Sequence, residues 1–278
     1  MELEKLVRMA LVEDVGNGDV TTEACVPMSL AGNGQILAKE RMVVCGHSAA
    51  KEVFRQLGAQ YSPAVEEGVW VESGATVAQL SGRMRALLTG ERVALNLLMR
   101  LSGIATHTRN TVAVLEGLGA SRNIKVVDTR KSTPLHRSLE RRAVCVGGAA
   151  NHRFALYDGV LIKDNHIAAA GGVAQAVKAA QKHVHHLMTI EIEVETESQA
   201  DEAVAAGAGV LLLDNMDNAI MERIINRHGP TVLYEASGNM TANRLPGLAE
   251  IGVNVVSIGG LIHQARWVDL SCRLNAKR

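Results

Sequence analysis

The sequence predicts an α/β protein in which a small α+β domain precedes an incomplete barrel of six or seven parallel strands, or an open parallel sheet. Three observations support this prediction. Short aliphatic runs recur in the second half of the chain, helix-like stretches separate them, and residues 1–107 lack this alternation. Alternating strands and helices form right-handed parallel crossovers, and a complete eight-stranded barrel needs about 250 residues, more than this half contains.

Six runs in the second half are predicted as strands, because they are short and rich in aliphatic residues, and most end in a charged or polar residue. They are residues 124–128, 159–163, 190–194, 210–214, 232–235 and 253–259. Apolar residues at helical spacing predict helices over 173–184 and 197–206, and Gly207 follows the second helix as a C-cap. Residues 108–267 are therefore assigned to the barrel domain.

Residues 1–107 are assigned to a separate domain, which residues 268–278 are expected to join. Residues 34–38 and 43–46 have the pattern of short strands. Residues 69–80 are predicted as two strands around a turn at Ser73 and Gly74, and residues 91–101 as a helix with one apolar face.

Composition excludes several classes of function. The chain has 29 basic and 29 acidic residues, and a net charge of zero argues against a general nucleic-acid or membrane-surface binder. Aromatic residues make up 3%, too few for a base-stacking platform. No apolar run approaches the roughly 18 residues of a membrane span, and the charged N-terminus lacks a signal-peptide core. The four cysteines form no metal or disulfide pattern, so we expect a cytoplasmic protein.

Charged side chains cluster at the carboxyl ends of the predicted strands, where α/β barrels and open parallel sheets carry their sites. The residues at these ends and in the adjoining loops are Asp128, Arg130, Lys131, His152, Arg153, Lys163, Glu193, Asp214, Glu235 and Ser257. Arginine and lysine bind carboxylates and phosphates, whereas two carboxylates at separate strand ends suit a Mg²⁺ ion that also binds substrate phosphates.

Two glycine-containing segments follow the last two predicted strands, Ser237-Gly238-Asn239 and Gly259-Gly260. Backbone N–H groups in such turns can bind a phosphate, and this part of a barrel commonly does so. Together with the charged strand ends, these turns predict a doubly anionic substrate, a phosphorylated co-substrate and Mg²⁺. From the residues alone, a lyase that forms a Schiff base through Lys163 is the alternative.

Ten short motifs, in order and spread over nearly the whole chain, resemble those of the quinolinate phosphoribosyltransferase family of decarboxylating nicotinate-nucleotide pyrophosphorylases. They are EDVGNGDVTT at 13–22, ERVALN at 91–96, LSGIAT at 101–106, DTRK at 128–131, NHR at 151–153, LIKDNH at 161–166, EIEV at 191–194, LDN at 213–215, EASG at 235–238 and SIG at 257–259. Each motif is short, but their order and spacing together are highly specific.

The resemblance implies an N-terminal α/β sandwich domain joined to an incomplete α/β barrel, assembled as a homodimer. It implies that quinolinate and phosphoribosyl pyrophosphate give nicotinate mononucleotide, CO₂ and pyrophosphate, with Mg²⁺. Lys163, Glu193 and Asp214 match catalytic residues, and the two carboxylates lie on the ribose and metal side. Arg92 matches an arginine that the partner subunit contributes to the site.

The resemblance also implies a set of substrate contacts. Arg130, Arg153 and Lys163 match residues that hold the quinolinate carboxylates. The other matched positions, in the same motifs or in the phosphate-contacting turns, are Thr129, Lys131, His152, Ser237, Gly238, Asn239, Ile258, Gly259 and Gly260.

This chain departs from the family pattern at a few positions. The usual D-T-R-K-T-T-P-G-L-R is D-T-R-K-S-T-P-L-H-R here, with Ser132, Leu135 and His136 differing, and Asn239 replaces a second glycine. A relative with the same scaffold but another aromatic acid acceptor is therefore an alternative. A non-catalytic ligand sensor is a third hypothesis, although such a protein would be expected to lose Glu193 or Asp214, and both are present.

Overall fold

The structure, a computed structural model, describes residues 2–116 and 124–277. The chain divides into two compact units. The first comprises Met1–Arg109, Ser132–Gly148 and Ile262–Arg278, and the second comprises Asn110–Lys131 and Ala149–Leu261. The segment Ser132–Gly148 thus groups with the N-terminal unit, whereas the boundary drawn from the sequence assigned it to the barrel domain.

The first unit contains a four-stranded antiparallel sheet with the strand order β12-β1-β5-β3 and a two-stranded pair of β2 and β4. Its strands are β1 Ala31–Ala38, β2 Met42–Val43, β3 Gln60–Pro63, β4 Trp70–Val71, β5 Thr76–Arg83 and β12 Leu270–Ala276. Its helices are α1 Leu3–Val15, α2 Val20–Cys25, α3 His47–Gln56, α4 Met84–Val112, whose last three residues belong to the second unit, and α5 Arg137–Val146.

Two strands lie on either side of the Ser73-Gly74 turn, as predicted for residues 69–80, but the prediction that they pair with each other as a hairpin is wrong. β4 pairs with β2, whereas β5 pairs with β1 and β3, so the two strands beside the Ser73-Gly74 turn belong to different sheets. A turn signal identifies a change of direction but not the strand that becomes the partner. The helix predicted over 91–101 is real but forms only the middle of α4, which has 29 residues.

The second unit is built on a six-stranded parallel sheet with the order β6-β11-β10-β9-β8-β7. Its strands are β6 Lys125–Val127, β7 Val160–Ile162, β8 Ile190–Val194, β9 Val210–Asp214, β10 Leu233–Ser237 and β11 Val255–Ser257. The helices are α6 Asp164–Ala170, α7 Val173–His183, α8 Glu197–Ala205, α9 Asn218–His228, α10 Leu245–Glu250 and α11 Gly260–His263, whose last two residues belong to the first unit.

The strand order is that of an incomplete α/β barrel. The first strand in the chain, β6, pairs with the last, β11, as barrel closure requires, whereas β6 and β7 are not neighbours in the sheet. The expectation of six or seven strands is therefore confirmed with six. Side chains alternate along each strand: in β8, Ile190, Ile192 and Val194 are buried, and Glu191 and Glu193 point to the other face.

Within residues 2–116 and 124–277, none of the helices combines the length and the apolar character that a membrane span requires.

Candidate active site

The carboxyl end of β6 fixes the loop that carries His152 and Arg153. Asp128 is fully buried, and its carboxylate accepts hydrogen bonds from Asn151 Nδ2 at 2.8 Å and from the backbone N–H of His152 at 2.9 Å. Val127 also pairs with Ala150 in a parallel bridge. A buried carboxylate is costly unless it is hydrogen-bonded, and these donors satisfy it.

Two arginines place positive charge at this end of the barrel. Burial lowers the pKa of Arg153, and the positive charge of Arg130 lowers it further. The two guanidinium groups therefore repel each other. Arg153 Nη1 donates to Gly159 O at 2.8 Å. Arg130 and Lys131 are exposed in the loop after β6, where Thr129 Oγ1 accepts the backbone N–H of Lys131 at 3.1 Å. Such a pair of cations suits an anionic ligand.

A histidine and two glutamates form a buried cluster in the barrel. His152 Nε2 lies 3.4 Å from Glu191 Oε2 and 3.4 Å from Glu235 Oε1. The ligand-type atoms of the three side chains all lie within 4.8 Å of one another. Glu191 Oε1 is buried without a hydrogen-bond partner in the described part of the chain, and Glu235 Oε1 is buried with none apart from the 3.4 Å contact with His152 Nε2.

The charges of the cluster favour protonation. Burial lowers the pKa of His152, but the contacts with the two glutamates and their charges outweigh burial and raise this pKa. Burial also raises the pKa of Glu191. His152 Nδ1, however, accepts the backbone N–H of Arg153 at 2.7 Å, which a ring protonated on both nitrogens cannot do. In this geometry the ring carries its proton on Nε2, which faces the two carboxylates, and Nδ1 is an acceptor. The ring is therefore the Nε2–H tautomer.

Lys163 and Glu193 form an ion pair across the ends of β7 and β8. The Lys163 side chain is 47% exposed, and the Glu193 side chain is 12% exposed. The Lys163 amine is thus engaged by Glu193, whereas a Schiff base would require it to attack a substrate carbonyl. This contact disfavours the Schiff-base alternative.

Asp214 and the Ser237-Gly238-Asn239 turn meet where β9 and β10 end. Ser237 is paired with Asp214 in the sheet, and its carbonyl accepts the backbone N–H of Asn215 at 3.1 Å. Gly238 and Asn239 have φ angles of 86° and 47°. A Cβ at Gly238 would lie 2.2 Å from Asn215 Oδ1, so only glycine fits this close approach. Asn239 keeps the left-handed conformation that asparagine tolerates.

The remaining phosphate-turn residues follow β11. The backbone N–H of Ile258 donates to Val127 O at 2.9 Å, which ties this turn to β6. Gly259 and Gly260 are half-buried and lead into α11.

Arg92 lies apart from the barrel residues in the chain, on α4 of the first unit, where it is exposed. Its role as a residue supplied by a partner subunit stays a prediction, as do the other substrate contacts.

Sequence reasoning missed Glu191 as a site residue. Its strand was predicted correctly, and a strand has a period of two, so Glu191 must share a face with Glu193. That alternation is the signal that could have identified it. Its contact with His152 depends on the three-dimensional position of the 151–153 loop.

The parallel sheet and the charged groups at its carboxyl end are those of an α/β-barrel enzyme whose strand ends suit anionic ligands. The models of two families match this chain: quinolinate phosphoribosyl transferase, N-terminal domain, over residues 19–102, and quinolinate phosphoribosyl transferase, C-terminal domain, over residues 104–273. The chain belongs to the quinolinate phosphoribosyltransferase family.

Curated relatives and solved structures agree with this assignment. The chain is 41% identical over 273 residues to a probable nicotinate-nucleotide pyrophosphorylase (carboxylating) of Bacillus subtilis, covering 98% of this chain and 93% of the relative. It is 38% identical over 255 residues to the human nicotinate-nucleotide pyrophosphorylase (carboxylating), covering 90% and 85%. The structure of NadC from Streptococcus pyogenes superimposes with a TM-score of 0.92 at 36% identity, covering 99% and 97%.

Proposed function

We propose that this chain transfers the phosphoribosyl group of phosphoribosyl pyrophosphate to quinolinate and releases CO₂ and pyrophosphate, which yields nicotinate mononucleotide. The observation that supports this proposal is the pairing of cations with carboxylates at one end of the barrel. The charge of Arg130 acts on Arg153, and Lys163 lies against Glu193. Cations suit the two carboxylates of quinolinate, and carboxylates suit a sugar that develops positive charge.

The reaction needs positioning and electrostatic stabilisation rather than a covalent intermediate. The ring nitrogen of quinolinate attacks C1 of the ribose, and the bond from C1 to pyrophosphate breaks. Glu193 and Asp214 stabilise the positive charge on the sugar at this stage. The alkylated nitrogen is cationic, so it stabilises the electron pair left on the adjacent carbon when CO₂ departs. That carbon then takes a proton. Arg130, Arg153 and Lys163 hold the substrate and restrict its orientation.

Glu193 and Asp214 would also hold Mg²⁺, with substrate phosphates as further ligands. They end the neighbouring strands β8 and β9, and two carboxylates are a donor set that suits this ion. When bound, Mg²⁺ neutralises charge on the pyrophosphate. Ser237 to Asn239 and Ile258 to Gly260 would contact the phosphates through their backbone N–H groups.

The working enzyme would be a homodimer in which Arg92 reaches the site of the partner subunit. This assignment rests on the family resemblance and on the exposure of Arg92. We assign the reaction to the cytoplasm on the cysteine pattern of the sequence, which is not that of a disulfide framework.

A coupled assay tests the proposed function. Purified protein receives quinolinate, phosphoribosyl pyrophosphate and Mg²⁺, and nicotinate mononucleotide is followed by absorbance and by mass. We expect product that disappears when EDTA removes the metal and that does not form from nicotinate, which lacks the second carboxylate. Lys163→Met should abolish turnover, whereas Lys182→Met, at an exposed position on α7, should retain it.

A folded protein that yields no product would contradict the proposal and favour another aromatic acid as acceptor. Borohydride trapping of a substrate on Lys163 would instead support the Schiff-base alternative.

A further inference from the structure

Glu191 and Glu235 are buried carboxylates that touch no substrate in the proposed reaction. Their side chains are 12% and 5% exposed, and both lie against the single Nε2–H of His152. Glu191 Oε1 has no hydrogen-bond partner in the part of the chain that the structure describes, and Glu235 Oε1 has none apart from its 3.4 Å contact with His152 Nε2. Burying such groups destabilises a fold, and apolar residues of similar volume often stabilise it. The cluster therefore calls for an explanation other than stability.

The contacts lead from the two glutamates to Arg153. The glutamates hold the His152 ring by Nε2, and the opposite nitrogen, Nδ1, accepts the backbone N–H of Arg153 at 2.7 Å. Asp128 holds the backbone N–H of His152 from the other side. Two groups thus fix the backbone at 152–153. One is the carboxylate of Asp128, directly after β6, and the other is the His152 ring, which Glu191 on β8 and Glu235 on β10 hold.

We propose that Glu191 and Glu235 are positioning residues for the dicarboxylate substrate: they orient the His152 ring, which in turn fixes the backbone of Arg153 and the direction of its guanidinium group. This inference rests on the proposed function, in which Arg153 binds a substrate carboxylate. Both glutamates are positioning residues because they act through His152, and the proposed reaction assigns them no contact with the reacting atoms. Two acceptors around one N–H hold the ring in place more tightly than one acceptor would.

The experiment replaces each glutamate in two ways. Glu191→Gln and Glu235→Gln keep an oxygen that can accept the Nε2–H, whereas Glu191→Met and Glu235→Met keep the side-chain volume and remove the acceptor. Glu222→Met, at an exposed position on α9, is the matched control. For each variant, KM for quinolinate, KM for phosphoribosyl pyrophosphate, kcat and the melting temperature are measured.

We expect the methionine variants to raise KM for quinolinate about tenfold or more, as loss of an oriented ionic contact would do. KM for phosphoribosyl pyrophosphate should not rise in parallel, and the melting temperature should not fall. The glutamine variants should stay within about threefold of the wild type. An unchanged KM for quinolinate in both methionine variants, with kcat reduced only in proportion to the folded fraction, would overturn the proposal.

Nitrogen NMR of the His152 ring separates this inference from the proposed function. In uniformly ¹⁵N-labelled wild-type protein we expect an Nε2–H tautomer for His152, assigned with His152→Asn, and a loss of that tautomer preference in the methionine variants. This readout needs no turnover, so it decides the positioning role even if the wild type fails to use quinolinate. Unchanged ring shifts in the methionine variants, or stoichiometric metal on the wild type that these variants lose, would refute the positioning role.

Discussion

Leu135 has a backbone conformation that its side chain disfavours. Its φ is 69°, in the left-handed region, and it stands where the family pattern has glycine. The side chain is 60% exposed, so little burial offsets the backbone strain. Glycine adopts this conformation without steric cost, and asparagine does so with little cost.

We predict that Leu135→Asn raises the free energy of unfolding by about 1 kcal/mol, because the strain of the left-handed region is relieved. Leu187→Asn removes another exposed leucine, 79% exposed and outside that region, and should change stability by less than about 0.5 kcal/mol. Urea unfolding of the three proteins measures the difference. Equal stabilities of the two variants would show that the Leu135 backbone is not strained.

His47 makes stability depend on pH. Burial lowers its pKa below the ordinary value of 6.5, and its ring nitrogens contact Tyr61 OH at 2.7 Å and Val65 O at 2.9 Å. As pH falls below about 6.5, the unfolded chain therefore takes up this proton before the folded chain does. The contribution of His47 to stability is present above that pH and is lost as pH falls.

The variant His47→Gln removes the titrating ring, and its stability is compared with that of the wild type at pH 7 and pH 5. We predict that the wild type loses more stability on acidification than the variant does, by at most about 1.4 kcal/mol for each pH unit. Thermal unfolding at both pH values checks this. Parallel losses in the two proteins would show that the ring titrates normally.

At the scale of elements, β12 completes the antiparallel sheet of the first unit from the far end of the chain. It pairs with β1 along its whole length, from Gly32 opposite Ala276 to Ala38 opposite Leu270. Without it, β1 would become an edge strand with unpaired N–H and C=O groups. The last strand in the chain thus covers the edge of the first.

Ending the chain after Asp269 should lower the melting temperature and promote aggregation, because the edge of β1 becomes exposed. A chain that ends at Ala276 keeps every residue of the pairing and serves as the control. Calorimetry and light scattering compare the two. If both chains melt and scatter alike, β12 does not support the sheet.

At the scale of the whole molecule, the homodimer can be tested by complementation. Arg92→Ala and Lys163→Ala subunits should each be inactive alone, because each lacks one proposed contact. If Arg92 acts in the site of the partner, mixed dimers contain one site with both residues intact and should recover part of the activity. Turnover of the mixture is compared with that of each variant alone.

Complementation requires that the subunits exchange, which mixed dimers of differently tagged chains verify by mass. No recovery despite proven exchange would mean that Arg92 acts within its own chain or has no part in the reaction.

The sequence alone determined the barrel strands and the charges that end them. An aliphatic run followed by a charge is a local pattern, so residues 190–194 and 210–214 coincide with β8 and β9 without knowledge of their neighbours. The same local order placed Glu193 and Asp214 at the carboxyl ends of their strands.

Only the tertiary structure decided which distant segments meet. It paired β4 with β2 rather than with β5, grouped 132–148 with the first unit, and brought His152 against Glu191 and Glu235. Local patterns restrict the backbone angles and the face that a side chain takes. Strand pairing and loop position are set by packing between segments that are far apart in the sequence, which no local pattern encodes.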